Sequence, residues 1–160
     1  MNTSLDCNRE GRLLRIALKR PDKRNALTNA LCRQLLDAIH EADADDGVGA
    51  ILLEGRGSVF CAGMDLEEAA QPDAAEQAAV HEELFSIGSR VRKPVAAAVQ
   101  GAALGGGMGL LMNAHVVIAA QGTSFGLTEI RIGMWPFVVY RSAVLALGER
   151  RALELSLTGR

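Results

Sequence analysis

The chain has 160 residues and a formal net charge of −2; 49% of it is hydrophobic and 4% aromatic. That is long enough for one domain, residues 1–160, with its own core, and the composition is that of a folded globular chain. The near-neutral charge gives no electrostatic footprint for nucleic acid, and no apolar run reaches the ~20 residues that span a bilayer, so neither is an expected partner. The three cysteines, Cys7, Cys32 and Cys61, are odd in number and lack CxxC spacing. With no signal-peptide layout over residues 1–6, they suit a reducing cytoplasm.

In chain order, Leu14, Ile16 and Leu18 alternate within residues 12–19 and predict a strand. Residues 20–25, with Pro21 and Asn25, read as a loop. Thr28 can cap a helix on which Leu27, Leu31, Leu35 and Ile39 mark one face, and Gly47 is expected to end it. Residues 49–54 read as a buried strand and 55–58 as a turn. Residues 60–66 form a second small-residue turn, followed by a helix-prone acidic patch at Glu67 and Glu68. The Ala/Glu/Gln-biased stretch 68–80 reads as helix or loop. Pro72 and Asp73 open a helix predicted to reach Arg92 before Pro94 stops it.

The apolar run 95–99 leads through Ala103-Leu104-Gly105-Gly106-Gly107-Met108-Gly109 into Leu110-Leu111-Met112, which reads as strand, glycine-rich turn and helix. Glycines let a ligand approach the backbone closely. A helix start adds unpaired N–H groups and the positive end of a dipole, which together suit an anion: a phosphate, or the enolate oxygen of a thioester. Residues 115–119 predict another strand, and 139–158 two helices broken at Gly148. Strands alternating with helices give an α/β class.

Four segments in register resemble the enoyl-CoA hydratase/isomerase (crotonase) family. They are Arg20-Pro21-Asp22-Lys23-Arg24-Asn25-Ala26-Leu27, Phe60-Cys61-Ala62-Gly63-Met64-Asp65-Leu66, Gly101-Ala102-Ala103-Leu104-Gly105-Gly106-Gly107, and Phe125-Gly126-Leu127-Thr128-Glu129-Ile130. The resemblance runs from about residue 12 to residue 160. It implies a spiral of strand-strand-helix units that holds an acyl-CoA, with a coenzyme A thioester as substrate and no other cofactor or metal. By position, the backbone N–H groups of Met64 and Gly106 would bind the thioester oxygen, and Met64 would narrow the pocket. Arg24, Ala26, Leu27, Ala62, Leu66, Asp65 and Gly105 would hold the substrate and its CoA, with Asp65 orienting its own turn. Lys23 and Arg24 are either phosphate contacts or solvated loop cations.

Family hydratases divide water addition between two glutamates, one of them two residues past the glycine run. Here that position is Gly109, which cannot exchange a proton; the other carboxylate is Glu129. One carboxylate suffices to shift a double bond, because a single group can remove and return the proton. The residues therefore favour isomerisation over efficient hydration. Glu129 reads either as a surface carboxylate at the end of a strand or, from its neighbours Ile130, Ile132 and Trp135, as a buried group with a catalytic role. Residues 132–140, bulkier than the loop common in hydratases, either line the acyl pocket or pack the core. Family members continue past residue 160 into helices that complete the pocket and pack subunits, so the C-terminal helical region is expected to be incomplete and to leave apolar surface exposed. A homo-oligomer, trimer or hexamer, is expected where those helices exist. A non-catalytic acyl-CoA-binding or assembly protein of the same fold is the alternative.

Other patterns fail. Gly122-Thr123-Ser124-Phe125-Gly126 fits GxSxG, but His40, His81 and His115 all precede Ser124, against the order that a nucleophile elbow requires. The glycine run lacks GxGxxG spacing. The histidines and cysteines are too scattered for a metal site, and His40 and His81 are expected to face solvent on helices.

Overall fold

A computed structural model describes residues 4–69 and 74–160, so the predicted helix start at Pro72 and Asp73 lies outside the described residues. Strands β1 (Leu5–Glu10) and β2 (Leu13–Leu18) form a hairpin, and helix α1 (Asn29–Ala44) follows. Strand β3 (Ala50–Gly55) leads to α2 (Leu66–Ala69) and α3 (Ala74–Leu84). Next come β4 (Val95–Val99), β5 (Ala102–Leu104) and α4 (Gly106–Met112). Then β6 (Val116–Ala119), β7 (Ser124–Gly126), α5 (Phe137–Leu147) and α6 (Glu149–Thr158) complete the order, with Gly148 between the last two helices as expected.

The long strands make a sheet of order β1-β2-β3-β4-β6, parallel except for the β1–β2 hairpin. Beside it runs a second ladder of short parallel pieces. Leu27 bridges Met64, Cys61 bridges Ala103, and β5 pairs with β7. Each turn of the chain thus contributes one strand to the first sheet, one short segment to the second, and then a helix. This is the expected spiral, and it stacks the strand-to-helix corners of successive turns on one another.

Local chemistry sets the helix ends. Thr28 Oγ1 accepts the Leu31 N–H at 3.2 Å and starts α1, whose Leu31, Leu35 and Ile39 are fully buried. Each such side chain contributes about 1.5–3 kcal/mol. The helix ends at Ala44 rather than Gly47: Asp45 turns extended, and its Oδ1 takes the Gly47 N–H at 2.7 Å. A short acidic side chain competes here with the helical ladder for a backbone donor. Helix α3 likewise stops at Leu84, not Arg92. Asn113 captures the next segment, donating Nδ2–H to the Phe85 carbonyl at 2.7 Å and accepting the Gly88 N–H at 3.3 Å. A 3-10 turn over Ile87–Ser89 takes the place of the last helical turns.

Hairpin strand β1, which lacks a clear alternation, had no counterpart among the sequence expectations. It is held by six paired positions with β2 and by exposed ion pairs such as Arg56–Asp6 at 2.7 Å. On the opposite edge every residue of β6 is exposed, and Phe137, Leu145 and Leu157 are exposed on α5 and α6. The expected apolar surface is there. No helix among the described residues is long and apolar enough to cross a membrane.

Candidate active site

Three corners of the spiral meet at one cavity of about 360 Å³. Met64 ends the short segment of the second turn, Gly106 opens α4 in the third, and Glu129 follows β7 in the fourth. The ladder fixes their backbones. Leu27 donates its N–H to the Gly63 carbonyl at 2.8 Å and accepts the Asp65 N–H at 2.9 Å. In a parallel bridge of this kind the central residue, Met64, turns its own N–H to the other side. Cys61 donates to the Ala102 carbonyl at 3.1 Å and accepts from Leu104 N–H at 3.0 Å, which lays residues 61–64 alongside 103–106. Gly106 is the first residue of α4, where N–H groups lack an intrahelical acceptor. The helix has only 7 residues, so it offers a first-turn donor more than a large dipole.

Gly105 makes the corner possible. Its φ of 51° and ψ of −118° disfavour any side chain, and a Cβ there would stand 3.1 Å from Glu129 Oε1. The Glu129 carboxylate therefore rests directly against the glycine run. Its Oε2 is buried without a hydrogen-bond partner, and burial raises its pKa above the usual carboxylate value. The buried setting read for Glu129 is there, with two local differences. The residue opens a 3-10 turn, Glu129–Ile132, rather than ending a strand, and Ile130 and Ile132 are exposed. Its cover comes from Gly105 and from the cavity wall, to which Ile132 and Trp135 contribute.

Position 109 is closed to any carboxylate. A Cβ on Gly109 would meet Val139 Cγ1 at 2.5 Å and Phe85 Cδ1 at 2.6 Å, and both of those side chains are buried. The space into which a second acid would project is filled with hydrocarbon. Among residues 132–140 both sequence readings hold. Ile132, Met134, Trp135, Pro136, Phe137 and Val138 line the cavity, whereas Val139 belongs to the core and Tyr140 stacks on Trp135 with ring centroids 5.3 Å apart. Met64 lines the cavity as well, its Sδ lying 3.1 Å from where a Gly106 Cβ would be.

Of the remaining predicted residues, Ala62, Asp65, Leu66 and Gly105 line the cavity. Arg24, Ala26 and Leu27 do not. Leu27 is fully buried and supports Met64 from behind, Ala26 is half-buried, and Arg24 is exposed with φ 50°. Lys23 lies 3.5 Å from Glu67 on the surface. Asp65 holds its turn, accepting the Glu67 N–H at 3.2 Å. Sequence reasoning missed its other partner, Arg20, at 3.1 Å. It also missed Asn25, which is fully buried at φ 54° and accepts the Arg20 N–H while donating to the Arg56 and Val59 carbonyls. A third residue is corrected outright. His81, expected in solvent, is half-buried, and it lines the cavity with its Nε2 covered. His40 is exposed, as expected.

A spiral of strand-strand-helix turns whose corners meet at one cavity is the crotonase fold. A Legionella pneumophila structure described as an enoyl CoA hydratase/isomerase (crotonase) superposes with a TM-score of 0.94 at 30% identity, covering 100% of this chain and 64% of that one. Residues 8–160 match the family model for enoyl-CoA hydratase/isomerase, and the chain belongs to that family. It is 39% identical over 149 residues to a Mycobacterium leprae protein named "Probable enoyl-CoA hydratase echA8", covering 91% of this chain and 57% of the relative. It is 38% identical over 135 residues to 2,3-dehydroadipyl-CoA hydratase of Escherichia coli, covering 84% of this chain and 53% of the relative. The chain thus spans little more than half the length of these curated relatives.

Proposed function

We propose that the chain acts on enoyl-CoA thioesters through an enolate, with Glu129 carrying the proton and the N–H groups of Met64 and Gly106 holding the thioester oxygen. The observation that carries this reading is the seat of the Glu129 carboxylate against Gly105, one residue from the Gly106 N–H and in the same cavity as Met64. Charge that develops on the thioester oxygen as a proton leaves the α-carbon is stabilised by donors already in place. A carboxyl whose pKa burial has raised is a better match to neutral pH for taking and returning that proton. With position 109 closed, the reaction this machinery supports best is migration of a double bond from the 3,4 to the 2,3 position: Glu129 takes a proton from C2 and returns it to C4. No cofactor beyond the CoA of the substrate is required. The Ile132, Trp135 and Phe137 wall would receive the acyl chain, and the loop of Arg24 and Ala26 the CoA.

Glu129→Gln tests the reading, since it keeps shape and removes the exchangeable acid. Bond migration in a 3-enoyl-CoA is expected to fall by ~100-fold or more, with acyl-CoA affinity retained. Undiminished turnover in this variant would remove Glu129 from the mechanism. A second reading, an acyl-CoA-binding protein without chemistry, is favoured by the hydrocarbon-filled position 109. It predicts CoA-ester binding with no change in any enoyl substrate.

A further inference from the structure

His81 Nε2 and Glu129 Oε2 are the two buried side-chain polar atoms without a partner among the described residues, and both residues line the same cavity. A buried polar atom left unpaired is costly, and a site that holds two of them is built for something that pairs with both. Two other acids line this cavity, but each is engaged. Asp65 is held by Arg20 at 3.1 Å, and Glu68 Oε2 accepts the Asn29 N–H at 2.7 Å. His81 also stands beside the missing carboxylate's place. Its ring lies 6.2 Å from that of Phe85, one helical turn on, and Phe85 is the residue that fills the space over Gly109.

Building on the enolate reading above, we propose that His81 is a second catalytic proton carrier, which takes the proton from water when water adds to a 2-enoyl thioester. The step balances as follows. With its own proton on Nδ1, His81 accepts a proton at Nε2 as the water oxygen bonds to C3. The C2–C3 π pair moves to give the enolate, held by the N–H groups of Met64 and Gly106. Protonated Glu129 gives its proton to C2 and leaves the 3-hydroxyacyl thioester. The proton on the imidazolium then returns through water to the Glu129 carboxylate. Burial favours the starting states, lowering the His81 pKa and raising that of Glu129, although the nearby Glu68 charge opposes the shift at His81. Two groups whose surroundings push them toward opposite roles divide acid and base work between them. Helix α3 would in this way supply what position 109 cannot.

The test compares the 160-residue chain with His81→Gln and His81→Asn on a 2-enoyl-CoA, read as water gain, and on a 3-enoyl-CoA, read as loss of the 3,4 double bond. The wild type is expected to hydrate. Both variants are expected to lose hydration by ~100-fold or more, and isomerisation by less than a tenth of that factor. A general loss of folding would move both reactions together and would show in the thermal melt, which is why two variants are used. Hydration at the wild-type rate in either folded variant overturns the role of His81 alone. Isomerisation without hydration in the wild type overturns it too. If the wild type does neither, the enolate reading itself fails, and the role of His81 falls with it.

Discussion

Gly109→Ala adds one methyl group to the buried face of α4, and the structure fixes what that methyl would meet. The new Cβ would stand 2.5 Å from Val139 Cγ1 and 2.6 and 2.8 Å from Phe85 Cδ1 and Cε1, where ordinary contact begins at 3.4 Å. Val139 is fully buried and Phe85 nearly so, which leaves neither a free direction in which to move. Overpacking of this kind costs about 1–3 kcal/mol. Replacing glycine inside a helix returns about 0.5–1 kcal/mol, and position 109 has no positive φ to add strain. The net is a loss of about 1–2 kcal/mol, or a fall in Tm of roughly 2–8 °C for a chain of this size. Thermal melts by circular dichroism and urea titrations should agree on it. Gly109→Glu should fall further and gain no hydration. A Gly109→Ala protein that melts at or above the wild-type temperature would refute the claim that Phe85 and Val139 close this position.

Other outcomes follow from the same contacts. Because folding raises the Glu129 pKa, its contribution to stability is fully present below the unfolded value near 4.5 and is lost as pH rises through the folded value. Glu129→Gln should therefore gain stability over the wild type as pH climbs from 4 toward neutrality, and urea titrations showing the opposite slope would contradict the burial argument. Asn25→Ala leaves the Arg20 N–H and the Arg56 and Val59 carbonyls without their partner, a loss on the order of 3 kcal/mol. Equilibrium unfolding measures it. Burial pushes the Cys32 and Cys61 thiols up to about 12, whereas Cys7 is exposed. A thiol reagent should label one cysteine of the native chain quickly and the other two only on unfolding.

What was legible in the sequence depended on how local the cause is. The Thr28 cap, the α1 face and the Gly148 break are written in neighbouring residues and stand where they were expected. Hairpin strand β1 was not legible: residues 5–10 are mostly polar, and the segment is a strand because β2 lies beside it. The pieces β5 and β7 have 3 residues each, too few to show a period. The end of α3 is set by Asn113, which is 25 residues away from Gly88. At the site, the motifs brought forward Met64, Gly105, Gly106 and Glu129, and these four line one cavity. They gave no sign that Gly109 is packed under Phe85. The inward turn of His81 was hidden as well, because it depends on how α3 lies across the cavity. Its orientation is a tertiary fact with no periodic trace in an alanine- and glutamate-rich helix.

The most direct test of the central claim is the position of the double bond in a 3-enoyl-CoA after incubation with the chain, followed by mass spectrometry and double-bond analysis. Loss of the 3,4 double bond, recovered as the 2-enoyl thioester or as its hydrated 3-hydroxyacyl product and absent in Glu129→Gln, is the predicted result. A 3-enoyl-CoA recovered unchanged from the wild-type protein, with binding intact, would contradict the claim that Glu129 moves a proton on the substrate.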